Sequence, residues 1–184
     1  PEVSGRFRRS NDEVARSRFW LDCGMDSRLQ RERSRSQPLR ARPACMHQAI
    51  EHLTIRTDGQ ALYEFTRHMQ AAIEKAGIAS GLVTAFVRHT SCSLLIQENA
   101  DPDVQVDLLG YFRRLVPEGM DWLVHTLEGP DDMPAHIKSA LTQTSIAIPI
   151  VDGRAVLGTW QGIYLFEHRR RPHGRDVVLH ILGE

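Results

Sequence analysis

The chain has 184 residues and carries 23 Lys and Arg against 23 Asp and Glu, so its formal net charge is zero. This length suits one ordinary domain with a sizeable core and argues against two full domains. No apolar run approaches the roughly 20 residues that a membrane-spanning helix needs, so we expect no membrane partner. Three scattered cysteines form no disulfide framework, and no secretory signal is recognisable, which together indicate a cytoplasmic location.

The charges are unevenly distributed along the chain. Residues 1–45 hold eleven Arg, no Lys and six acidic residues, whereas all nine His lie in residues 46–184. The first segment has few aliphatic residues and no helical or strand period, so it cannot offset its ordering entropy by apolar burial. We expect a disordered extension or a misassigned start, with the domain beginning at Met46. A nucleic-acid-binding arm or a transit peptide is disfavoured because both functions need few acidic residues.

The first half of the domain alternates strands and helices. Residues 49–57, 81–89 and 93–97 are rich in apolar and β-branched residues and are predicted strands. A helix over residues 60–76 is indicated by the spacing of its apolar residues, and Gly77 supplies the C-terminal stop. The apolar face of this helix consists of Leu62, Phe65, Met69 and Ile73.

A second helix is predicted to begin at Asp101 and Pro102, because Asp is a favoured N-cap and Pro a favoured first residue. Pro117 ends it. The apolar stripe of this helix consists of Val104, Leu108, Phe112 and Leu115. Residues 125–134, HTLEGPDDMP, contain too many turn formers for regular structure. A short helix follows from Pro134, and its predicted inward residues are Ile137, Ala140 and Leu141.

Three strands are predicted at the end of the chain, over residues 145–150, 155–168 and 176–182, with a turn at Asp152 and Gly153. Strands that closely follow one another favour antiparallel pairing. We therefore predict an α+β fold in which helices pack on largely antiparallel sheet layers within a single compact domain.

Polar residues mark both ends of the segment GTWQGIYLFEH, residues 158–168. Alternation puts Gln161 and Glu167 on one face and Trp160 and His168 on the other, with apolar residues between them. This pattern fits a strand buried between layers whose ends emerge at a pocket or a subunit contact. The alternative is that Trp160 packs in the core and Glu167 pairs with a nearby Arg.

Three histidines are candidate site residues. His89 precedes a hydroxyl-rich turn that suits an anion. His136 lies in the first turn of its predicted helix, where the helix dipole favours an anion and Lys138 could add charge. His125 stands just before an acidic loop, which contains Glu128, Asp131 and Asp132. These residue types are able to hold a divalent ion, although their spacing matches no HExxH or HxH signature.

Two further patterns leave alternatives open. Arg169, Arg170 and Arg171 are most simply a solvated hairpin turn, and a phosphate clamp is the alternative. Ser91 or Cys92 as a nucleophile activated by His89 is disfavoured, because neighbouring residues on a strand point to opposite faces.

Three long segments resemble the YjbQ family, often labelled secondary thiamine-phosphate synthase. They are RHTSCSLLIQENADPDVQVDL, HTLEGPDDMPAHIKSAL and GTWQGIYLFEHR…GRDVVLHILGE, and the resemblance covers about residues 48–184. It implies a compact α+β fold, a homotrimer and a pocket near the subunit boundaries. The implied activity is a transferase reaction that joins hydroxymethylpyrimidine diphosphate to thiazole phosphate and releases pyrophosphate.

The resemblance also implies roles for individual residues. The implied catalytic residues are His89, His125, His136, Lys138 and Glu167. The implied substrate-binding residues are Thr90, Ser91, Asn99, Asp107, Thr159, Trp160 and Gln161. We expect His89, His136 and Lys138 to face the substrate phosphates. The expected metal ligands are His89, His125, His136, Glu128 and Asp132, for Mg²⁺ or, as an alternative, Zn²⁺. Cys92 departs from the Ala usual in the family, and Gln143 and Thr144 replace a Gly-containing turn.

Two other function classes compete with the transferase. One is a metal-dependent hydrolase or lyase that uses the three His as ligands. The other is a non-catalytic trimer that binds a phosphorylated or heterocyclic metabolite. A nucleic-acid role for residues 1–45 is the weakest hypothesis.

Overall fold

The computed structural model describes residues 46–184, so the predicted extension at residues 1–45 lies outside the described residues. Its eleven elements, in chain order, are β1 (His47–Thr57), β2 (Leu62–Glu64), α1 (Thr66–Ala76), β3 (Gly81–Val87), β4 (Cys92–Glu98), α2 (Pro102–Leu115), α3 (Asp132–Leu141), β5 (Ser145–Val151), β6 (Arg154–Ala155), β7 (Gln161–Glu167) and β8 (His173–Gly183). None of the helices in this range is long and apolar enough to cross a membrane.

The strands form two antiparallel sheets. The larger sheet has five strands in the order β1-β8-β3-β5-β6, and the smaller has three in the order β2-β7-β4. Every strand pair in the described range is antiparallel. The Asp152-Gly153 turn between β5 and β6 has φ angles of 51° and 71°, the left-handed values that a tight hairpin turn requires. The predicted α+β fold on antiparallel sheet is confirmed.

The main core lies between the two sheets and α1. Alternate residues of the larger sheet are buried on one face, as in Val83, Ala85 and Val87 of β3. Phe65 and Ile73 bring the apolar face of α1 into the same core. The α1 helix ends at Gly77, which adopts the left-handed conformation expected of a C-terminal stop.

Strand β7 is buried on both faces because α2 covers its second side. Leu165 enters the main core, whereas Phe166 joins a second apolar cluster. The rings of Phe112 and Phe166 meet edge to face with centroids 5.2 Å apart. Asp101 caps α2 as predicted, accepting the N–H of Asp103 at 2.9 Å. The predicted stripe of α2 does not extend to Leu115, which is 50% exposed.

Two predicted elements have different bounds. The helix predicted from residue 60 begins at Thr66, because residues 62–64 pair with β7 as strand β2. The strand predicted over residues 155–168 is two strands, since the chain leaves the larger sheet after Ala155 and enters the smaller one at Gln161.

The orientation predicted for α3 is wrong. Its buried residues are Asp132, Pro134, Ala135, Lys138 and Ser139, whereas Leu141 is 59% exposed. The buried face is held by polar contacts: the hydroxyl of Ser139 donates to the carbonyl of Cys92 at 3.0 Å. A prediction from apolar periodicity alone therefore selected the opposite face.

Candidate functional site

Two histidines and an aspartate converge where α3 begins. Asp132 is the first residue of the helix, and His136 lies one turn later on the same face. Nε2 of His125, in the preceding loop, lies 2.8 Å from Oδ2 of Asp132, and Nε2 of His136 lies 3.3 Å from the same oxygen. All three ligand atoms lie within 4.8 Å of one another. We call His125, Asp132 and His136 the His–Asp cluster.

A backbone carbonyl fixes the orientation of His136. Its Nδ1 lies 3.0 Å from the carbonyl oxygen of Thr90, which can only accept a hydrogen bond, so Nδ1 carries a proton. The neutral ring then presents the lone pair of Nε2 to the carboxylate of Asp132. Two electron-rich atoms that face each other at 3.3 Å repel unless a proton or cation lies between them. A bound cation between Nε2 of His136 and the carboxylate of Asp132 would remove that repulsion.

Arg169 organises the acidic start of α3. Its Nε donates to Oδ2 of Asp131 at 3.1 Å, its Nη1 donates to Oδ1 of Asp132, and its Nη2 donates to the carbonyl of Glu128 at 2.9 Å. Although burial acts to raise it, hydrogen bonds from the Arg170 N–H and from Arg169 hold the pKa of Asp131 below its usual value. One oxygen of Asp132 thus binds Arg169, and the other faces the imidazoles.

The interpretation of the arginine run as a solvated turn does not hold for Arg169, whose side chain is 12% exposed. Its partners are the two carboxylates of Asp131 and Asp132. These two adjacent acidic residues are the signal in the sequence that indicates a nearby cation. The signal was missed because the helix was predicted to begin at Pro134, whereas α3 begins at Asp132.

Three of the five predicted metal ligands are brought together. The other two, His89 and Glu128, lie outside the His–Asp cluster. Nε2 of His89 accepts the N–H of Asp176 in β8 at 2.8 Å, so its lone pair is already used. Burial, followed by the charge of Arg175, lowers the pKa of His89. The side chain of Glu128 is exposed, and its carbonyl binds Arg169 instead.

Glu167 is buried in a hydrogen-bonded ion pair. Nε and Nη2 of Arg175 each donate to one carboxylate oxygen at 2.6 Å. Thr57 Oγ1 donates to one of the same oxygens at 2.8 Å, and the N–H of Arg169 donates to the other at 2.9 Å. Since four donors occupy the carboxylate, the structure supports the alternative prediction of an ion pair with Arg and lends no support to a catalytic role.

Several predicted substrate-binding residues lie at the opposite end of β7. The N–H of Asn99 donates to the carbonyl of Trp160 at 3.0 Å, and Oε1 of Gln161 accepts the N–H of Gly158 at 2.7 Å. Trp160 is 64% exposed rather than packed in the core. A seven-residue strand spans about 20 Å, so this group and the residues beside Glu167 occupy separate places within one chain.

The remaining predicted residues are more dispersed. Thr159 and Asp107 are exposed, and Asp107 lies on α2. Thr90 is exposed and positions His136 through its carbonyl, whereas Ser91 is buried. Burial raises the pKa of the neighbouring Cys92 to about 12, which keeps the thiol protonated and agrees with the expectation that it is no nucleophile.

Lys138 does not face the same space as His136, although both were predicted to face one group of phosphates. Residues two apart on an α-helix point about 160° away from each other. Lys138 is 4% exposed and lines a cleft of about 520 Å³. Arg113 of α2 and Arg170 also line this cleft. We call the cleft that contains these three cations the cationic cleft.

The fold and the site define a small α+β protein with a histidine–carboxylate cluster at the start of a short helix. A family model described as UPF0047 protein YjbQ-like matches residues 51–184. The chain belongs to the YjbQ family, which confirms the resemblance seen in the sequence.

Known proteins are similar to the chain over most of its length. A UPF0047 protein of Synechocystis is 56% identical over 77% of this chain and 96% of its own length. A conserved hypothetical protein from Thermus thermophilus, solved by crystallography, is 37% identical over 70% of this chain and 97% of its own, with a TM-score of 0.64. A YbjQ-like protein of unknown function from Sulfolobus solfataricus is 25% identical over 75% of this chain and 100% of its own, with a TM-score of 0.67.

Proposed function

We propose that the His–Asp cluster binds one divalent metal ion and that the protein is a metal-dependent enzyme. The observation that carries this proposal is the convergence of two imidazole nitrogens on one carboxylate oxygen, at 2.8 and 3.3 Å. Ligands bonded to one tetrahedral ion at about 2.0–2.1 Å lie about 3.3 Å from one another. The arrangement is therefore close to that of a metal centre.

The donor atoms of the cluster favour zinc over magnesium. Mg²⁺ prefers oxygen ligands, whereas two imidazole nitrogens and one carboxylate are typical of zinc. The hydrogen bond from Nδ1 of His136 to the carbonyl of Thr90 is the kind of outer contact that orients a metal-bound histidine.

Three protein ligands leave the fourth position of a tetrahedral ion to water or substrate, as in catalytic zinc sites. An ion there would supply an activated water near neutral pH or polarise a carbonyl or phosphoryl oxygen. A hydrolase or lyase reaction is therefore the class that the cluster favours.

A second candidate is the transferase activity implied by the family resemblance. The observation that favours it is the exposed indole of Trp160 beside Gln161, because a flat aromatic surface suits a heteroaromatic substrate. In this reaction the thiazole nitrogen bonds to the methylene carbon of the pyrimidine, the carbon–oxygen bond to the diphosphate breaks, and pyrophosphate leaves. A cation at the His–Asp cluster would stabilise the leaving group.

We also propose that the protein acts as a homotrimer. The loop that carries His125 exposes two large apolar side chains almost completely, Val124 at 96% and Leu127 at 97%, and Trp122 at 67%. Exposed apolar surface of this kind is typical of an interface. A second copy seated on the loop would enclose the His–Asp cluster, and could bring the Trp160 end of another subunit towards it.

The experiment that tests the metal proposal is elemental analysis of the purified full-length protein after incubation with zinc and gel filtration. We expect about one zinc per chain in the wild type, following the single cluster among the described residues. His125→Ala and His136→Ala should each lose most of it. His68→Ala, an exposed histidine on α1, is the matched control and should retain it. Zinc binding that persists in both cluster variants would overturn the proposal.

Product analysis separates the two reaction classes. The zinc-loaded and the metal-stripped proteins are incubated with hydroxymethylpyrimidine diphosphate and thiazole phosphate, and separately with a panel of phosphate esters, lactones and amides. Thiamine phosphate formed by the wild type and His68→Ala, but not by His136→Ala, would support the transferase. Turnover of one of the panel compounds by the wild type and His68→Ala, but not by His136→Ala, would support the hydrolase or lyase. Equal turnover by the metal-stripped protein and by His136→Ala would exclude a metal-dependent reaction at this cluster.

A further inference from the structure

We propose that the cationic cleft binds a phosphoryl group at a site separate from the His–Asp cluster. The central observation is Lys138, which lines the cleft and is only 4% exposed. In residues 46–184 no hydrogen bond or ion pair is formed by its ammonium group. The carboxylates of Glu118 and Asp131 act on this ammonium without forming an ion pair with it. Because a buried charge is costly unless it is paired and hydrogen-bonded, an anion in the cleft would supply a direct partner.

The other charges of the cleft leave it positive. It is lined by the cations of Arg113, Lys138 and Arg170 against the carboxylates of Asp58 and Glu118. Glu118 is paired with Arg170. Arg113 donates from Nε to the neutral amide oxygen of Gln60 at 3.3 Å, so within the described residues no carboxylate neutralises its guanidinium. Two of the three cations are therefore available to an incoming anion.

A second, independent observation lies behind Lys138. His168 is 1% exposed, and its Nε2 is 2.9 Å from Oγ of Ser93. Its Nδ1 is buried and has no hydrogen-bond partner in the described part of the chain. Both His168 and Lys138 line a chamber of about 10 Å³, close to the space that one water molecule needs. The chamber shares Lys138 with the cleft and adds one buried polar atom, Nδ1 of His168, that has no partner in the described part of the chain.

The size and donor chemistry indicate a phosphorylated small molecule. A cleft of about 520 Å³ is within the range of small-molecule sites. The cationic donors that line it come from three different segments, Arg113 on α2, Lys138 on α3 and Arg170 before β8. A phosphoryl group offers three strong acceptor oxygens to such donors, one more than a carboxylate. The shared chemistry is a phosphate dianion, either free or as part of an ester.

The site does not depend on the metal proposal. His136 and Lys138 point about 160° apart on α3, so substitution of one leaves the contacts of the other in place. Asp131 lies between the two regions, since it accepts hydrogen bonds from the side chain of Arg169 and the backbone of Arg170.

Isothermal titration calorimetry of the full-length, metal-stripped protein tests the proposal. The probes are inorganic phosphate, pyrophosphate, glycerol phosphate and, as a carboxylate, acetate. We expect saturable binding of at least one phosphate probe with one site per chain, and no comparable binding of acetate. Lys138→Gln should weaken it by about tenfold or more, because a charge-assisted hydrogen bond is lost. Lys75→Gln removes the same charge from an exposed lysine and should leave the affinity unchanged.

Arg113→Gln provides the second variant, because Arg113 is exposed on α2 and its substitution leaves the core intact. It should also weaken phosphate binding, and it decides the matter if Lys138→Gln does not fold. Tighter binding of glycerol phosphate than of inorganic phosphate would identify a phosphate ester as the ligand. Tighter binding of inorganic phosphate would identify the free anion. His136→Ala should bind phosphate normally even if it has lost zinc, so the two proposals can fail separately. Absence of saturable binding, equal binding of acetate, or equal weakening by Lys75→Gln would overturn the phosphate site.

Discussion

Glu167 and Arg175 join the two sheets through a buried bidentate ion pair, in which both carboxylate oxygens accept hydrogen bonds of 2.6 Å. Glu167 ends β7 in the smaller sheet, whereas Arg175 lies on β8 in the larger one. Burial acts to lower the pKa of Arg175, but the hydrogen bonds to Glu167 raise it overall. The pair therefore keeps its charges inside the protein.

We expect Glu167→Gln to destabilise the fold, because it leaves the buried guanidinium of Arg175 without its counter-charge. The expected loss in the free energy of unfolding is about 3–5 kcal/mol. Urea unfolding at pH 7 measures it. Glu51→Gln is the control, since its partner Lys75 is 72% exposed and such pairs contribute about 1 kcal/mol or less. A Glu167→Gln protein with normal stability but no turnover would instead restore the predicted catalytic role.

We expect His168 to make the fold less stable in acid. Burial, followed by the charges of Lys138 and Arg175, lowers the pKa of His168 from 6.5 to about 3. Between these values the unfolded chain binds a proton that the folded chain excludes, so the contribution of this group to stability is present above pH 6.5 and is lost as the pH falls towards 3. One such group changes the free energy of unfolding by at most about 1.4 kcal/mol per pH unit.

The measurement is the free energy of unfolding of the wild type and of His168→Gln at several pH values between 7 and 4. The difference between the two proteins should shrink or reverse as the pH falls, because the variant lacks the titrating ring. His68→Ala removes an exposed histidine and should keep a constant difference from the wild type. A constant difference for His168→Gln as well would contradict a depressed pKa.

Most of the fold could be predicted from local signals in the sequence. The cap at Asp101 and the stop at Gly77 depend on backbone geometry that neighbouring residues determine, and both are present. Helix α3 shows the limit of that approach. Its apolar periodicity indicated Leu141 as an inward residue, whereas the buried face carries Lys138 and Ser139. The contacts that select this face are made with other segments, so they cannot be predicted from the local periodicity.

The site was predictable only in part for the same reason. His125, Asp132 and His136 lie within twelve residues of sequence, and their proximity follows from one loop and one helical turn. Arg169, by contrast, reaches Asp132 from the segment that follows β7, and Arg175 reaches Glu167 from a different sheet. Those contacts depend on how the sheets stack, which spacing along the chain does not encode.

We expect Arg169→Gln to weaken zinc binding at the His–Asp cluster by about 10–100-fold, since loss of an outer contact to a metal ligand typically has that effect. Arg169 contacts Asp132 and the carbonyl of Glu128 and so positions the carboxylate. Competition with a chromophoric chelator gives the affinity. Arg171→Gln, two residues away and exposed, is the matched control. Equal affinities for Arg169→Gln and the wild type would show that Asp132 needs no positioning residue.

We expect the double variant Val124→Asp, Leu127→Asp to dissociate the proposed homotrimer. In one chain these side chains are 96% and 97% exposed, and an interface that covered them would have to bury two unpaired carboxylates in the variant. Size-exclusion chromatography with light scattering should give three times the chain mass of 20.9 kDa for the wild type and the single chain mass for the variant. Val106→Asp, at a 63% exposed position on α2, should remain trimeric. A monomeric wild type would refute the trimer, and a trimeric double variant would place the interface elsewhere than on the loop that carries His125.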